Sequence, residues 1–235
     1  MRLILLLRSF AGGPWPLLFV ISVTGALLSL LQVSEDHFTD ICSGESNSWR
    51  TFTGPQLIGA AASWVTMLLA MMPPLLAMPL IHTWKASLPR RRIRAVLGFA
   101  AGYAVTWTLA GPAFIAAAWM LRWIVGDQAG VAAVLLAIAW SASPWHRRAL
   151  NRSHRLPRIG LFGLAADRDC LAFGLTHGVW CIVSCWAWML VPLVAGTWHV
   201  PVMLVAGGMM LAQRLSAPRR PAWSWPTQLS HLRGN

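Results

Sequence analysis

Side chains that bind soft metals recur every four residues in one apolar stretch of the sequence: His177, Cys181, Cys185 and Met189. In an α-helix each such step turns about 400° and rises about 6 Å, so the four side chains form one slowly winding stripe. Imidazole with thiolate and thioether sulfur suits Cu(I) best, then zinc or iron. The ends of the stripe lie about 18 Å apart, so one ion cannot contact all four side chains. Cys181 and Cys185 are therefore the pair best placed to share an ion that a second helix helps to bind.

A second apolar stretch supplies further thioethers, those of Met67, Met71 and Met72. If both stretches cross a membrane, Met71 lies roughly 16 Å from the cytoplasmic surface, Cys181 roughly 15 Å and Cys185 roughly 21 Å. The sulfurs therefore meet at one depth if the two spans are neighbours. Pro73 and Pro74 follow directly, and they break the helical hydrogen-bond ladder. Broken helices near mid-membrane often mark binding sites in transporters.

A plain packing role for the same sulfurs stays open on spacing alone. Buried cysteine behaves as a small hydrophobe, and methionine often fills gaps in apolar cores. His177 is a functional candidate because it lies in an apolar stretch, although near the boundary it could simply snorkel. A separate acidic group could capture a cation, but outer loops are ordinarily rich in acids; it comprises Asp36, His37, Asp40, Cys42 and Glu45.

The composition shows what kind of structure must hold these residues. The chain has 235 residues, of which 57% are hydrophobic and only 11% charged, with a formal net charge of +12. Soluble domains carry about 25% charged residues, so the composition indicates a membrane protein. A nucleic-acid partner is excluded, because such proteins display their charge over a polar surface that this chain lacks. Four cysteines without a CxxC pair do not form a disulfide framework.

Six apolar stretches are close to the roughly 20 residues that a membrane-spanning helix needs. They cover residues 16–33, 57–82, 95–121, 129–143, 171–196 and 199–215. We therefore predict an all-α bundle of six transmembrane helices, forming one domain over residues 1–216. A cytoplasmic tail rich in proline and tryptophan follows, over residues 217–235.

The charges between these stretches predict the orientation. Cytoplasmic loops are enriched in lysine and arginine. With both termini in the cytoplasm, all but two of the 19 basic residues fall on the inner side; the exceptions are Arg50 and Arg122. The basic segment 146–169 is predicted to be either an interfacial stretch or a solvated loop that only sets topology. We thus expect a multi-pass protein of the bacterial inner membrane. Its partners would be the lipid bilayer and, as a further candidate, other membrane-protein subunits.

Two motifs carry a resemblance to a known family. One is Trp64-x-x-Met67-x-x-Ala70-Met71-Met72, and the other is His177-Gly178-x-Trp180-Cys181-x-x-x-Cys185-Trp186-x-x-Met189. Together they resemble the bacterial family of predicted metal-binding integral membrane proteins of unknown function, over most of the chain from the second span to the sixth. The resemblance implies a metal role for the Met, His and Cys positions of both motifs.

The chain departs from this family's pattern at several positions. Family members often have a third cysteine where this chain has Ser184, and two cysteines in the inner loop where it has Leu150 and His154. Many carry an acidic residue at the end of the sixth span, where this chain has Gln213 and Arg214. A metal site in the inner loop is therefore not expected here, whereas the intramembrane site is.

The first functional hypothesis is copper binding between the second and fifth spans, for metal relay, delivery or homeostasis. Cys181 and Cys185 would bind as thiolates, and Met67, Met71 or Met72 as thioethers. The alternative is a non-catalytic accessory or assembly subunit of a larger membrane complex. Haem bound by His177 and a methionine is a weaker hypothesis, because no CxxCH attachment motif occurs. An enzyme is disfavoured, since no carboxylate or lysine lies within a predicted span to move protons.

Overall fold

The computed structural model describes residues 15–34, 54–216 and 220–223, and its regular structure in these ranges is helical throughout. The predicted all-α class is thus confirmed for the described residues. The helices are α1 Trp15–Ser34, α2 Gly54–Met71, α3 Ala77–Ala86, α4 Arg92–Val125, α5 Ala129–Ala142, α6 Pro144–Ser153, α7 Gly163–Val194 and α8 His199–Leu215. The acidic group around His37 and Cys42, and most of the predicted tail, lie outside the described residues.

Two helical stretches are long and apolar enough to cross a membrane, Pro89–Ala142 and Gly163–Val194. The bent pair Ala61–Met71 and Pro73–Ala86 makes a third if it counts as one span. An apolar helix over Pro16–Leu31 is shorter. Length and composition of the described helices therefore support two or three spans, and the count of six stays a prediction.

The second predicted span is broken where its prolines indicate. Helix α2 ends at Met71, a 3-10 turn covers Pro73–Leu76, and the chain bends by 51° before α3 continues. Two adjacent prolines lack amide hydrogens, so successive helical hydrogen bonds cannot form there. Pro112 lies within α4 and Pro192 within α7, and neither ends its helix. The paired prolines thus set the shape of this part of the chain and bring Met72 to the bend.

Helices α4 and α7 run parallel and form the centre of the fold. At their starting ends, Arg91 and Arg94 each reach a carboxylate oxygen of Asp167 at 2.7 Å. At their far ends, Arg122 donates to the carbonyl of Val194 at 2.9 Å. These contacts tie both ends of the pair and fix the register between the two helices.

Glycines allow α4 and α7 to approach at backbone distance. A Cβ atom on Gly174 would lie 2.1 Å from the carbonyl oxygen of Phe99, and one on Gly102 would lie 2.4 Å from that of Leu171. Gly178 similarly faces Thr106, whose Cβ would be 2.8 Å away. Small residues four apart are a common way for apolar helices to pack closely without polar side chains. We call this contact the glycine seam.

Helices α5 and α6 return along the other side of α7. Trp140 of α5 donates to the carbonyl of Val183 at 3.2 Å, and Trp188 of α7 donates to Ser141 at 2.8 Å. Further along, His146 of α6 contacts the carbonyl of Ser184. The basic segment 146–169 is therefore not one loop, because it begins in α6 and ends within α7. Ser143 starts α6 as a side-chain cap, with a proline at the first helical position.

Candidate metal centre

A tyrosine of α4 joins the two predicted groups of sulfur ligands. The Tyr103 hydroxyl lies 3.2 Å from Sδ of Met72 and 3.3 Å from Sγ of Cys181. A thioether cannot donate a hydrogen bond, so the hydroxyl donates to Met72 and the Cys181 thiol donates to the hydroxyl oxygen. The two sulfurs, which come from the bend after α2 and from α7, therefore lie on either side of one oxygen atom. All three side chains are buried.

Cys185 lies one turn beyond Cys181, and the two cysteines border the same small cavity. The Cys185 thiol donates to the carbonyl of Cys181 at 2.8 Å, within α7. The cavity has a volume of about 10 Å³, which is room for about one water-sized particle. Leu75 and Met210 border it as well. We refer to Met72, Cys181 and Cys185 as the sulfur cluster.

The cavity has a polar wall made by α6 and the end of α8. His146 and Arg214 both line it. The Nδ1 atom of His146 lies 2.8 Å from the carbonyl of Ser184, which can only accept, so Nδ1 carries the proton and Nε2 keeps a lone pair. The pKa of His146 is lowered to about 4, chiefly because burial disfavours the charged ring; the positive charges of Arg147 and Arg214 act in the same direction, and the hydrogen bond to Ser184 opposes them. Arg214 donates to the hydroxyl of Ser153. A guanidinium in this wall offers a charge opposite to that of a thiolate.

His177 precedes Cys181 by one turn of α7 and is enclosed by aromatic rings. The ring centroids of Phe173, Phe99 and Tyr103 lie 5.7, 5.9 and 6.2 Å from its own. Its Nε2 atom is buried and has no hydrogen-bond partner among the described residues. An unpaired buried nitrogen costs about 1–3 kcal/mol, so this atom is suited to accept a ligand.

The other predicted methionines are buried but lie elsewhere. Met71 borders a second cavity of about 120 Å³ that faces α1 and α8, and Gly207 of α8 lies against it. Met67 and Met189 are fully buried in the same core, yet neither lines the cavity beside the two cysteines. Of the predicted sulfur ligands, Met72 is linked to Cys181 through the Tyr103 hydroxyl, and Cys181 and Cys185 share the cavity.

The expected facing of the second and fifth spans needs a correction. Helix α7 packs mainly on α4, whereas α2 packs mainly on α1. The glycine seam gives α4 this central position, and Tyr103 of α4 bridges the gap between Met72 and Cys181. The depth of a residue within its predicted span could not reveal this. Depth gives a position along the membrane normal, but not which helices are neighbours.

Sequence reasoning missed three side chains at this site: Tyr103, His146 and Arg214. Tyr103 is the one tyrosine of the chain, and its position within an apolar stretch was an available signal. His146 lies in the basic segment that the sequence predicts to be an interfacial stretch or a solvated loop. Arg214 stands where the resembled family often has an acidic residue, which gives no indication of a role beside a thiolate.

The candidate donor atoms are mainly sulfurs, which favours Cu(I) over zinc and iron. Within the described ranges, no three side chains of His, Cys, Asp or Glu lie close enough together to hold an ion. Zinc sites are usually completed by four such ligands. A site at the sulfur cluster could instead use the Met72 thioether, a ligand that suits Cu(I).

These features describe a helical protein whose buried sulfur side chains could hold a soft metal ion. The family model of PpoB2, a copper chaperone, matches residues 61–232, which are most of the chain and contain the whole sulfur cluster. The chain therefore belongs to the PpoB2 copper chaperone family, and the expected association with copper is confirmed. No curated protein and no solved structure matches the chain.

Proposed function

We propose that this chain is an integral membrane copper chaperone that binds Cu(I) at the sulfur cluster and passes it to another protein. The observation that carries the proposal is the placement of Met72 and Cys181 on either side of the Tyr103 hydroxyl. An ion that takes the place of the two hydrogen bonds to this hydroxyl would be bound by one sulfur from the bend after α2 and one from α7, with Cys185 as the third ligand. The resemblance to predicted metal-binding integral membrane proteins would then reflect this same site.

The chemistry of the cluster supports a monovalent ion. Two buried thiolates without a cation would be costly, because charges are poorly tolerated away from water. Cu(I) neutralises one of the two negative charges, and the Arg214 guanidinium in the cavity wall compensates the other. The thiols lose their protons on binding, so the apparent affinity for Cu(I) falls as the pH is lowered.

Apolar surface on the described helices supports the placement in a membrane. Large apolar side chains point away from the core along α4 and α5, among them Leu97, Leu109, Ile124 and Leu135. Soluble monomers rarely expose apolar patches of this extent. We propose six spans with both termini in the cytoplasm, in a bacterial inner membrane. The parallel course of α4 and α7, with Arg91, Arg94 and Asp167 at one shared end, agrees with such a topology.

The position of α6 supports a relay rather than permanent storage. This basic helix packs beside the sulfur cluster, where His146 contacts Ser184 and Arg152 lies over the ring of Trp180. Exposed arginines need water or lipid headgroups, so this side of the cluster faces a polar boundary. A partner protein can therefore reach the copper site from that side.

The test is metal binding by the purified full-length protein in detergent. Wild type is expected to take up Cu(I), and the Cys181→Ser/Cys185→Ser double variant to lose it. Cys170→Ser is the matched control, because Cys170 is a buried free cysteine on the same helix and does not line the cavity. Equal copper contents of wild type and the double variant would overturn the proposal. A packing role for the sulfurs, in an accessory subunit, would then take its place.

A further inference from the structure

A wide pocket opens beside the sulfur cluster, about one turn earlier on α7. Its volume is about 640 Å³, within the roughly 300–1,000 Å³ typical of small-molecule sites. One wall comes from α7 through Thr176, His177 and Trp180. The opposite wall comes from the end of α6 and the chain after it, through Arg152 and Arg155. We call this the cationic pocket.

The charge of the cationic pocket determines what can enter it. The Arg152 guanidinium is held over the Trp180 ring, 4.5 Å from its centroid, and Arg155 is exposed at the rim. No carboxylate lines the pocket in the part of the chain that the structure describes. Two guanidinium groups repel a bare copper ion and attract an anion.

The inner side of the pocket leads toward the copper site. His177 is buried there, and its Nε2 atom has no hydrogen-bond partner among the described residues. The next residue on the same stripe of α7 is Cys181, about 6 Å further along the helix. Tyr103 contacts both, by its ring near His177 and by its hydroxyl at Cys181. An imidazole that can bind copper therefore lies between the pocket and the sulfur cluster.

We infer that the cationic pocket receives an anionic thiolate complex of Cu(I), which delivers its ion to the sulfur cluster. The inference rests on the proposed function, since it needs a copper site beyond His177. The copper–sulfur bonds to the donor thiolates break while bonds to Cys181 and Cys185 form. Each protein thiol gives its proton to a departing donor thiolate, and copper stays Cu(I) throughout. Net charge is conserved in this exchange. The negative charge of the donor complex explains why a protein that binds a cation has a positively charged pocket.

The test compares the rates of copper transfer from two donors of opposite charge. The full-length protein, in nanodiscs of phosphatidylcholine, is mixed with the anionic Cu(I)–glutathione complex or with the cationic Cu(I)–acetonitrile complex. Copper on the protein is measured at set times after gel filtration. We expect the Arg152→Gln/Arg155→Gln variant to slow transfer from glutathione about tenfold at low ionic strength, because paired charges steer association. The rate of transfer from the Cu(I)–acetonitrile complex and the final copper content of the variant should not decrease.

Arg148→Gln is the matched control. Arg148 lies on the same helix, over the ring of Trp145 at 4.9 Å, and does not line the pocket. An equal slowing by this control, an equal slowing with both donors, or no slowing at all would overturn the inference and leave the copper site intact. If wild type takes copper from neither donor, the proposed function and this inference fail together.

Discussion

The two sides of α7 differ in what they contribute to the candidate site. The side facing α4 is closed, because Gly174 and Gly178 bring the backbones together and Cys181 reaches Tyr103. The side facing α6 is polar and partly open, with Arg152 over Trp180 and His146 at Ser184. The closed side fixes the positions of the sulfurs, whereas the open side provides charge and access. A site that must both hold an ion and release it needs the two together.

The largest effect should come from breaking the closed side. Gly174→Ala places a methyl group 2.1 Å from the Phe99 carbonyl oxygen, so the two backbones must separate. Overpacking of this kind costs roughly 1–3 kcal/mol, and more where backbone must move, so we expect a loss of at least about 3 kcal/mol. Thermal unfolding in detergent measures it, together with Cu(I) uptake. Gly208→Ala is the control, since its Cβ meets nothing within 4 Å; similar losses for both variants would show that the glycine seam is not tight.

The next largest effect should be a difference in Cu(I) affinity between variants of two neighbouring methionines. Met72→Leu removes the thioether beside Tyr103, and we expect the Cu(I) affinity to fall about tenfold, or about 1.4 kcal/mol. Met71→Leu should leave it unchanged, because Met71 borders the other cavity. Both substitutions conserve volume and should cost less than about 1.5 kcal/mol of stability. Competition titration with a Cu(I) chelator measures the affinities. A larger loss for Met71→Leu would return the ligand role to that residue.

The open side should respond to pH. His146 is neutral when buried, with its pKa lowered from 6.5 to about 4 mainly by desolvation. Above about pH 6.5 it is neutral in both the folded and the unfolded chain. As the pH falls from 6.5 toward 4, the unfolded chain binds a proton that the folded chain does not, so the free energy of unfolding decreases. We expect a loss on the order of 1 kcal/mol per pH unit.

Unfolding midpoints of the copper-free protein between pH 7 and pH 4 measure this loss. His146→Gln keeps a hydrogen-bonding side chain and cannot titrate, so its midpoint should depend less on pH. Parallel curves for wild type and the variant would mean that His146 titrates alike in the folded and the unfolded chain.

The smallest effect should come from the Tyr103 hydroxyl, which lies on the closed side. Tyr103→Phe removes the hydroxyl between Met72 and Cys181, which should lower the stability of the copper-free protein by about 1 kcal/mol. Copper no longer has to displace these hydrogen bonds, so we expect Cu(I) to bind about threefold more tightly. On the same sample, thermal unfolding should show the loss of stability and chelator titration the gain in Cu(I) affinity. Weaker binding by this variant would instead make the hydroxyl part of the copper site.

The sequence predicted the bounds of the helices more accurately than it predicted which helices pack against each other. Helix α8 covers the same residues, 199–215, as the expected apolar stretch, and α5 differs by one residue at its end. Hydrophobicity and prolines act locally, so the bend at Pro73 and Pro74 was also readable. Their role as membrane spans stays a prediction.

The candidate ligand set was only partly predictable from the sequence. The four-residue spacing found Cys181 and Cys185, because both lie on one helix. The choice of Met72 over Met71 depends on the direction of the bend after α2 and on Tyr103 of α4. These depend on contacts between helices distant in sequence, and spacing within one helix carries no information about them.

The spacing of the two cysteines also affects their resistance to oxidation. Side chains four residues apart on a helix hold their Cβ atoms about 5–6 Å apart, whereas a disulfide needs about 3.5–4.5 Å. Cys181 and Cys185 therefore cannot cross-link to each other while α7 stays helical, and both are buried and free. If copper leaves this pair in the proposed relay, the two thiols would not be lost to an internal disulfide. The pair would then be available for the next ion without a partner that reduces such a bond.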